Sequence, residues 1–393
     1  MFIVSGKMLS GLIKIDIPDS VIDIGESVFA NCRNLKQITL PKTITTISSF
    51  LFSGSGLTSI TIPGHITHIE VAAFSSCSAL KEVIISNGVK TIDNMAFSAI
   101  GADIIDIPKS VKTIGEAAFS ACENLKKITI PNSVEALGEK AISWCFSLMD
   151  VTLPNNLMVL KKELFMGCEN LISIELPNTL TSIEKSAFRE TGLETITIPK
   201  NVKTIGESAF MDCPNLTQVV MFDKLIEIGE SAFANSKSLS DIYKGLTSIS
   251  AGLFNGCIRL TNLTLPDDIQ TIESEAFSNT GLRTLTLPNN LKTIGPYAFF
   301  NCNLTHLTIP KSVLNIKWRA FTSCDNLRTL IIPKSVNVIG ESVFDSGQIY
   351  IFTDAPTQLP GWTMMVPVYL KDCWYVDDNG LPRPHDETYF FID

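Results

Sequence analysis

The chain has little of what catalysis, nucleic-acid binding or membrane insertion requires. Four histidines serve 393 residues, so a Ser-His-Asp or Cys-His arrangement has little to draw on. No G-x-x-x-x-G-K-[ST], G-x-G-x-x-G or G-x-S-x-G pattern occurs, and Ser53-Gly54-Ser55-Gly56 has the wrong order for a nucleophile elbow. Lys plus Arg number 31 against 40 for Asp plus Glu, a net charge of −9. That balance lacks the basic stripe that neutralises phosphates. The longest early apolar run is Met1 to Val4, broken at Ser5. It is too short for a signal-peptide core, and no later segment approaches the ~20 apolar residues of a spanning helix. Disorder is excluded as well, since 45% of residues are hydrophobic and 18% charged. The expectations are a soluble, non-enzymatic protein with no cofactor, no metal, no nucleic-acid partner and no membrane insertion.

What the chain does have is a repeat. Phe29, Phe52, Phe74, Phe97 and Phe119 open a series that runs to Phe344, with Ile142 filling its one vacant slot. There are fifteen such anchors at intervals of 21 to 23 residues, and a proline stands eleven residues before twelve of them. The exceptions are Ser86, Phe222 and Tyr243. One coil shows the whole pattern: Leu193, Ile196, Ile198, Pro199, Val202, Ile205, Gly206, Ala209, Phe210, Cys213. Ile196 and Ile198 alternate with Thr195 and Thr197, the mark of a half-buried strand. Proline cannot donate to a ladder, so it closes that strand. A second short strand ends at Ile205, Gly206 permits a bend, and the next residues make a single helical turn with Ala209 and Phe210 inward.

A unit of this size cannot bury its apolar face alone, but stacked copies align their Leu, Ile, Val and Phe into continuous columns. The expected fold is a right-handed leucine-rich-repeat solenoid of about 15 coils, with a long parallel β-sheet on one face. At ~4.8 Å per strand the stack is roughly 70 Å long. The motif L-x-x-I-x-I-P-x-x-V-x-x-I-G-x-x-A-F-x-x-C resembles the BspA-like class of leucine-rich repeats. That resemblance implies a bacterial or protist surface or secreted protein, binding host or microbial proteins or glycans by adhesion. It carries over no functional residue, because the family motif consists of core positions. An intracellular protein-binding scaffold or inhibitor on the same repeat is the alternative. The expected organisation is a thin N-terminal cap remnant over 1–11, with a segment expected to precede it, the solenoid over 12–352, and an aromatic C-terminal cap and tail over 353–393. That tail carries Trp362, Tyr369, Trp374, Tyr375, Tyr389, Phe390 and Phe391.

Nine of ten cysteines fall in one column, three residues after the anchor, from Cys32 to Cys324. They read as a ladder of buried thiols acting as small hydrophobes. Replacing one by Ser should cost about 1–3 kcal/mol by burying a hydroxyl without an assured partner. His65 and His68 lack further ligands at metal-binding spacing. The interval from Phe233 to Phe254 is the shortest, with two residues missing between Ile242 and Leu246.

The outward strand slots change character along the chain. In the first half they mix signs, as at Lys14, Asp16, Lys36, Lys81, Asp103, Lys126, Lys127 and Asp150. Beyond Glu194 they hold Thr195, Thr197, Gln218, Val220, Thr264, Arg283, Thr286, His306, Thr308, Arg328 and Ile331, with Asp241 the one carboxylate. A field of low charge with two arginines desolvates readily and still offers donors. This stretch is the expected contact surface for a protein or glycan partner.

Overall fold

Alternation in the first strand of each coil puts every second side chain inside. Along Ser59–Ile62, Ile60 and Ile62 are buried while Thr61 is exposed, and Glu82–Ile85 repeats the pattern. The two strands pair in parallel, with Ile60 opposite Val83 and Ile62 opposite Ile85. In this computed structural model, residues 11–221, 227–243, 248–344, 349–354, 368–370, 373–377 and 381–385 are described. The chain divides into two compact units, 1–202 and 203–393. Both are built from the same parallel coil.

In the first unit, Ile104–Asp106, Lys127–Thr129 and Asp150–Thr152 form one first-strand ladder. After the proline turn, two-residue second strands make another, from Thr46–Ile47 through His68–Ile69, Thr91–Ile92 and Thr113–Ile114 to Ala136–Leu137. Each ends on a buried Ile or Leu. In the second unit, Thr271–Ile272, Thr293–Ile294, Asn315–Ile316 and Val338–Ile339 repeat that second ladder. The solenoid expected from the repeat is therefore present, with both strand sets parallel.

The third side of the coil differs from expectation. Among the described residues there is no helix. The anchor segment is a run of tandem turns in which the residues two before and two after the anchor are left-handed, as at Ala72 (φ 53) and Ser76 (φ 61) around Phe74. The consequence is a third ladder. Ala72, Phe74 and Ser76 donate their backbone N–H groups to Asn94, Ala96 and Ser98 of the next coil, while the residues between them bond within the turn. A helix would direct every N–H along its own axis and leave adjacent coils unbonded on this side. The left-handed residues rotate alternate peptides toward the neighbour and satisfy both directions.

The consensus glycine likewise has a different role from the bend expected of it. Gly115 does not adopt a left-handed conformation, but a Cβ there would lie 2.5 Å from the Asn94 backbone nitrogen of the preceding coil. Close approach, not backbone freedom, selects glycine at that position.

Inside, the anchors stack face to face. Phe52, Phe74, Phe97 and Phe119 have centroids 5.1 to 5.7 Å apart and are fully buried. The second unit repeats the column from Phe210 to Phe344. The cysteine column beside it is also buried and forms no disulfide. From Cys77 onward each thiol of the column has a partner the sequence did not reveal. Cys122, Cys145 and Cys168 point their Sγ atoms at the anchor carbonyl of the preceding coil, each at 3.2 Å, and Cys257 does the same at 3.1 Å. Ser236 occupies the same column, fully buried, and donates to the Phe210 carbonyl at 2.7 Å. A hydroxyl in this slot therefore has an assured acceptor, and the penalty expected for Cys→Ser is corrected downward. Cys257→Ser should change unfolding free energy by under about 1 kcal/mol, whereas Cys257→Ala, which loses both bond and volume, should cost about 1–2 kcal/mol. Urea denaturation of both variants checks the order. Burial also pushes the Cys168 and Cys302 thiols up to about 12, so they resist alkylation near neutral pH, while half-buried Cys373 should label first.

At the C-terminal end the first-strand ladder continues past the last repeat. Thr329–Ile332, Tyr350–Thr353 and Val368–Leu370 pair in parallel. Phe352 and Tyr369 stack at 4.9 Å and are buried, and Trp374 meets Phe352 edge-on at 5.5 Å. Trp374–Val376 and Pro382–Pro384 form an antiparallel hairpin, tied by Arg383 to Asp377 at 2.9 Å. Residues 1–10, Phe222, Leu246, Trp362, Tyr389, Phe390 and Phe391 lie outside the described residues.

Candidate binding surface

Among the described residues, the outward positions named from the sequence face away from the core, Asp241 lying outside those whose side chains are described. In the second unit, Gln218 and Val220 flank buried Val219, and His306 and Thr308 flank buried Leu307. Thr264, Arg283, Thr286, Thr308 and Arg328 are exposed; Gln218, Val220, His306 and Ile331 are half-buried. Register brings Thr308 opposite Ile331 and His306 opposite Thr329. Thr195 and Thr197, exposed on either side of buried Ile196, belong to the first unit.

The outward faces of the two units differ in how their charges are used. In the first, Lys126 pairs with Asp103 at 3.0 Å and Lys127 with Asp150 at 2.6 Å, each bridging adjacent coils. The neighbouring carboxylate, by hydrogen bond and charge, holds the Lys127 ammonium above its ordinary value. In the second, none of Gln218, Thr264, Arg283, Thr286, His306, Thr308 and Arg328 enters an ion pair among the described residues. Arg328 donates to the Asp325 carbonyl at 2.7 Å, and the exposed Arg283 guanidinium makes no bond among the described residues. His306 Nδ1 lies 2.5 Å from the Thr329 hydroxyl. Burial, and secondarily the charge of Arg383, lower its pKa from the ordinary histidine value.

The ladder also opens on this face. Residues 262–264 and 284–286 share only the single bridge Thr264–Thr286, with no strand beside it. A cleft of about 590 Å³ results, lined by Asn262, Thr264, Thr284, Thr286, His306 and Thr308 among others. The first unit has a second cleft of about 830 Å³ where residues 171–177 form no strand; Asp150, Thr152, Ser173 and Glu175 help to line it. A sequence signal marks both and was missed. Most coils carry Ile before the proline, but Leu153 and Leu176, then Leu265 and Leu287, put leucine there in two successive coils. Leucine lacks the β-branch that stiffens an extended residue and packs flat on a pleated surface, so paired Leu-Pro coils loosen the ladder between them.

The two histidines that stand three apart in the sequence are held by local contacts. His65 Nε2 lies 3.2 Å from the Pro41 carbonyl and His68 Nδ1 lies 2.9 Å from the Thr67 hydroxyl. No group of three His, Cys, Asp or Glu is placed to hold a metal ion among the described residues. Among the described residues no helix is long and apolar enough to cross a membrane.

Comparison with known proteins agrees with the coil geometry. The family described as BspA type leucine rich repeat region (6 copies) matches over residues 8–103, 102–217, 141–245, 203–260 and 247–357. A leucine-rich repeat protein from Bacteroides ovatus superposes with a TM-score of 0.78 and 31% identity, covering 83% of this chain and 88% of that one. A second, from Eubacterium ventriosum, shares the fold at a TM-score of 0.53 and 22% identity, over 88% of this chain and 87% of that chain. Among curated proteins no sequence matches. Coil by coil, in its proline turns, anchor column and parallel ladders, the chain belongs to the BspA-type leucine-rich repeat family.

Proposed function

We propose that this protein is a non-enzymatic recognition protein, secreted or held at a cell surface, that binds a host or microbial protein or glycan through the outward strand face of its second unit. The observation that carries this reading is the contrast in charge pairing. Lysines and carboxylates on the first unit's strand face neutralise one another across coils. The second unit instead presents Thr, Asn and His around an open cleft, beside an Arg283 guanidinium without a partner among the described residues. Threonine hydroxyls and amides donate and accept without the desolvation cost of ions, and Arg, with Trp and Tyr, is enriched at the energetic centre of interfaces.

Arg283→Glu and Arg328→Glu should each weaken binding to a cognate protein or acidic glycan, by about tenfold or more, without altering the melting temperature. Lys36→Glu and Lys81→Glu, on the first unit, should leave binding within about twofold of the parent. Surface plasmon resonance of the four variants against immobilised matrix proteins and sulfated glycans distinguishes the two faces. The reverse ranking would remove the second unit from consideration.

A further inference from the structure

The repeat supplies an internal standard, since coils that fold alike show which side chains the fold needs. Across the turn ladder the slot three before the anchor holds Glu in six of the fifteen coils and the slot two before holds Ser or Ala in seven, as at Glu207-Ser208-Ala209 and Glu116-Ala117-Ala118, and Phe50 is the one aromatic in either slot outside the coils of Phe299 and Phe321. Two adjacent coils of the second unit depart from this. One reads Pro296-Tyr297-Ala298-Phe299-Phe300 and the next Trp318-Arg319-Ala320-Phe321. Their anchors, Phe299 and Phe321, stack like the rest, at 5.3 Å, so the aromatic substitutions are not required by the coil. Tyr297 even sits at φ 52, a conformation that bulky side chains adopt at a cost.

The ladder brings these departures together. The Tyr297 N–H donates to the Trp318 carbonyl at 3.3 Å. Trp318 meets Tyr297 edge-on at 4.6 Å, and Phe300 meets Tyr297 in the same way at 5.6 Å. Arg319 donates to the Tyr297 hydroxyl at 3.1 Å with its guanidinium carbon 5.9 Å from the ring centroid. The Trp318 indole remains 46% exposed. At neighbouring ladder positions, Glu275 and Glu341 offer two exposed carboxylates, balanced by exposed Lys317 and Arg319.

We propose that this platform is a second binding site, for a neutral oligosaccharide, in which the CH face of one pyranose stacks on Trp318 and its hydroxyls bond Arg319, Tyr297 and the flanking carboxylates. Size and charge select this ligand. Three partly exposed rings offer at most a few hundred Å², short of the ~800 Å² per partner of a stable protein interface but enough for one or two sugar rings. Two cations against two carboxylates favour a neutral ligand that needs donors and acceptors in equal measure.

Titration with cellohexaose, laminarihexaose and α-1,6-mannohexaose, followed by calorimetry and tryptophan fluorescence, tests the site. At least one should bind, and Trp318→Ala should weaken it about tenfold or more. Trp318→Glu and Tyr297→Ser, which restore the residues other coils carry, should do the same with unchanged melting, so loss of folding does not confound the result. Met95→Ala, at the slot of Tyr297 but in the first unit, should have no effect. Arg283→Glu should leave sugar binding intact, which separates this site from the strand face. Failure of all three hexasaccharides to bind at millimolar concentration would overturn the proposal, as would equal binding by Trp318→Glu. Loss of a protein partner on Trp318→Ala, with sugar binding unchanged, would overturn it too.

Discussion

Phe97→Ala is expected to lower the stability of the first unit by about 3–5 kcal/mol, the range for deleting a buried phenylalanine and leaving a cavity. Phe97 is fully buried between Phe74 at 5.1 Å and Phe119 at 5.7 Å, with all three rings nearly parallel. Two stacking contacts disappear together with the buried area. The coil cannot collapse onto the void, because its backbone is pinned by ladders on three sides. Stability in a solenoid is a sum over neighbouring coils, so the loss should also uncouple the coils before Phe97 from those after it. Urea denaturation followed by tyrosine and tryptophan fluorescence should show a broader or two-step transition. A change below about 1 kcal/mol would mean that the anchor column is not the main source of cohesion.

The second large effect is expected from ending the chain at Gly347. Removal of Tyr350–Thr353 and Val368–Leu370 strips the paired edge from Thr329–Ile332. It also deletes Ile349, Ile351, Phe352, Val368 and Tyr369, all buried. At roughly 1.5–3 kcal/mol of transfer free energy per side chain, burial on the order of 8–15 kcal/mol is lost, partly offset by the entropy of the released segment. A bare parallel edge backed by exposed apolar side chains is a template for association. Size-exclusion chromatography should therefore find oligomers or precipitate, and melting should begin earlier than in the full chain. A monomer with unchanged melting would show that the end strands are dispensable.

Much of this architecture could be read in advance because a period of 22 or 23 residues sets the register. Once Phe74 and Phe97 are known to be equivalent, the neighbours of every residue follow, and a period of two within the strand decides which side chains face inward. Ile196, Val219, Leu307 and Leu330 are buried as that rule requires, and Thr197, Thr308 and Arg328 are exposed. At the C-terminal end, two of the aromatic residues that the sequence singles out, Tyr369 and Trp374, meet Phe352.

The sequence by itself determined the coil, its stacking partners and the polarity of each face, because these depend only on periodicity and on which side chains avoid water. Tertiary structure alone decided the rest. Left-handed residues at Ala72 and Ser76 exist because alternate N–H groups must reach the next coil, a demand that no local preference of Ala or Ser announces. Gly115 is glycine because Asn94 of another coil lies against it. Cys257 has an acceptor only because stacking brings the Phe233 carbonyl to it. The cleft at Thr264 and Thr286 opens where two leucines, harmless singly, fall in successive rungs. Tyr297 and Trp318 are 21 residues apart in the chain and touch because the ladder places them on adjacent rungs. Each of these depends on what a neighbouring coil presents at a given height, and that is a property of the stack.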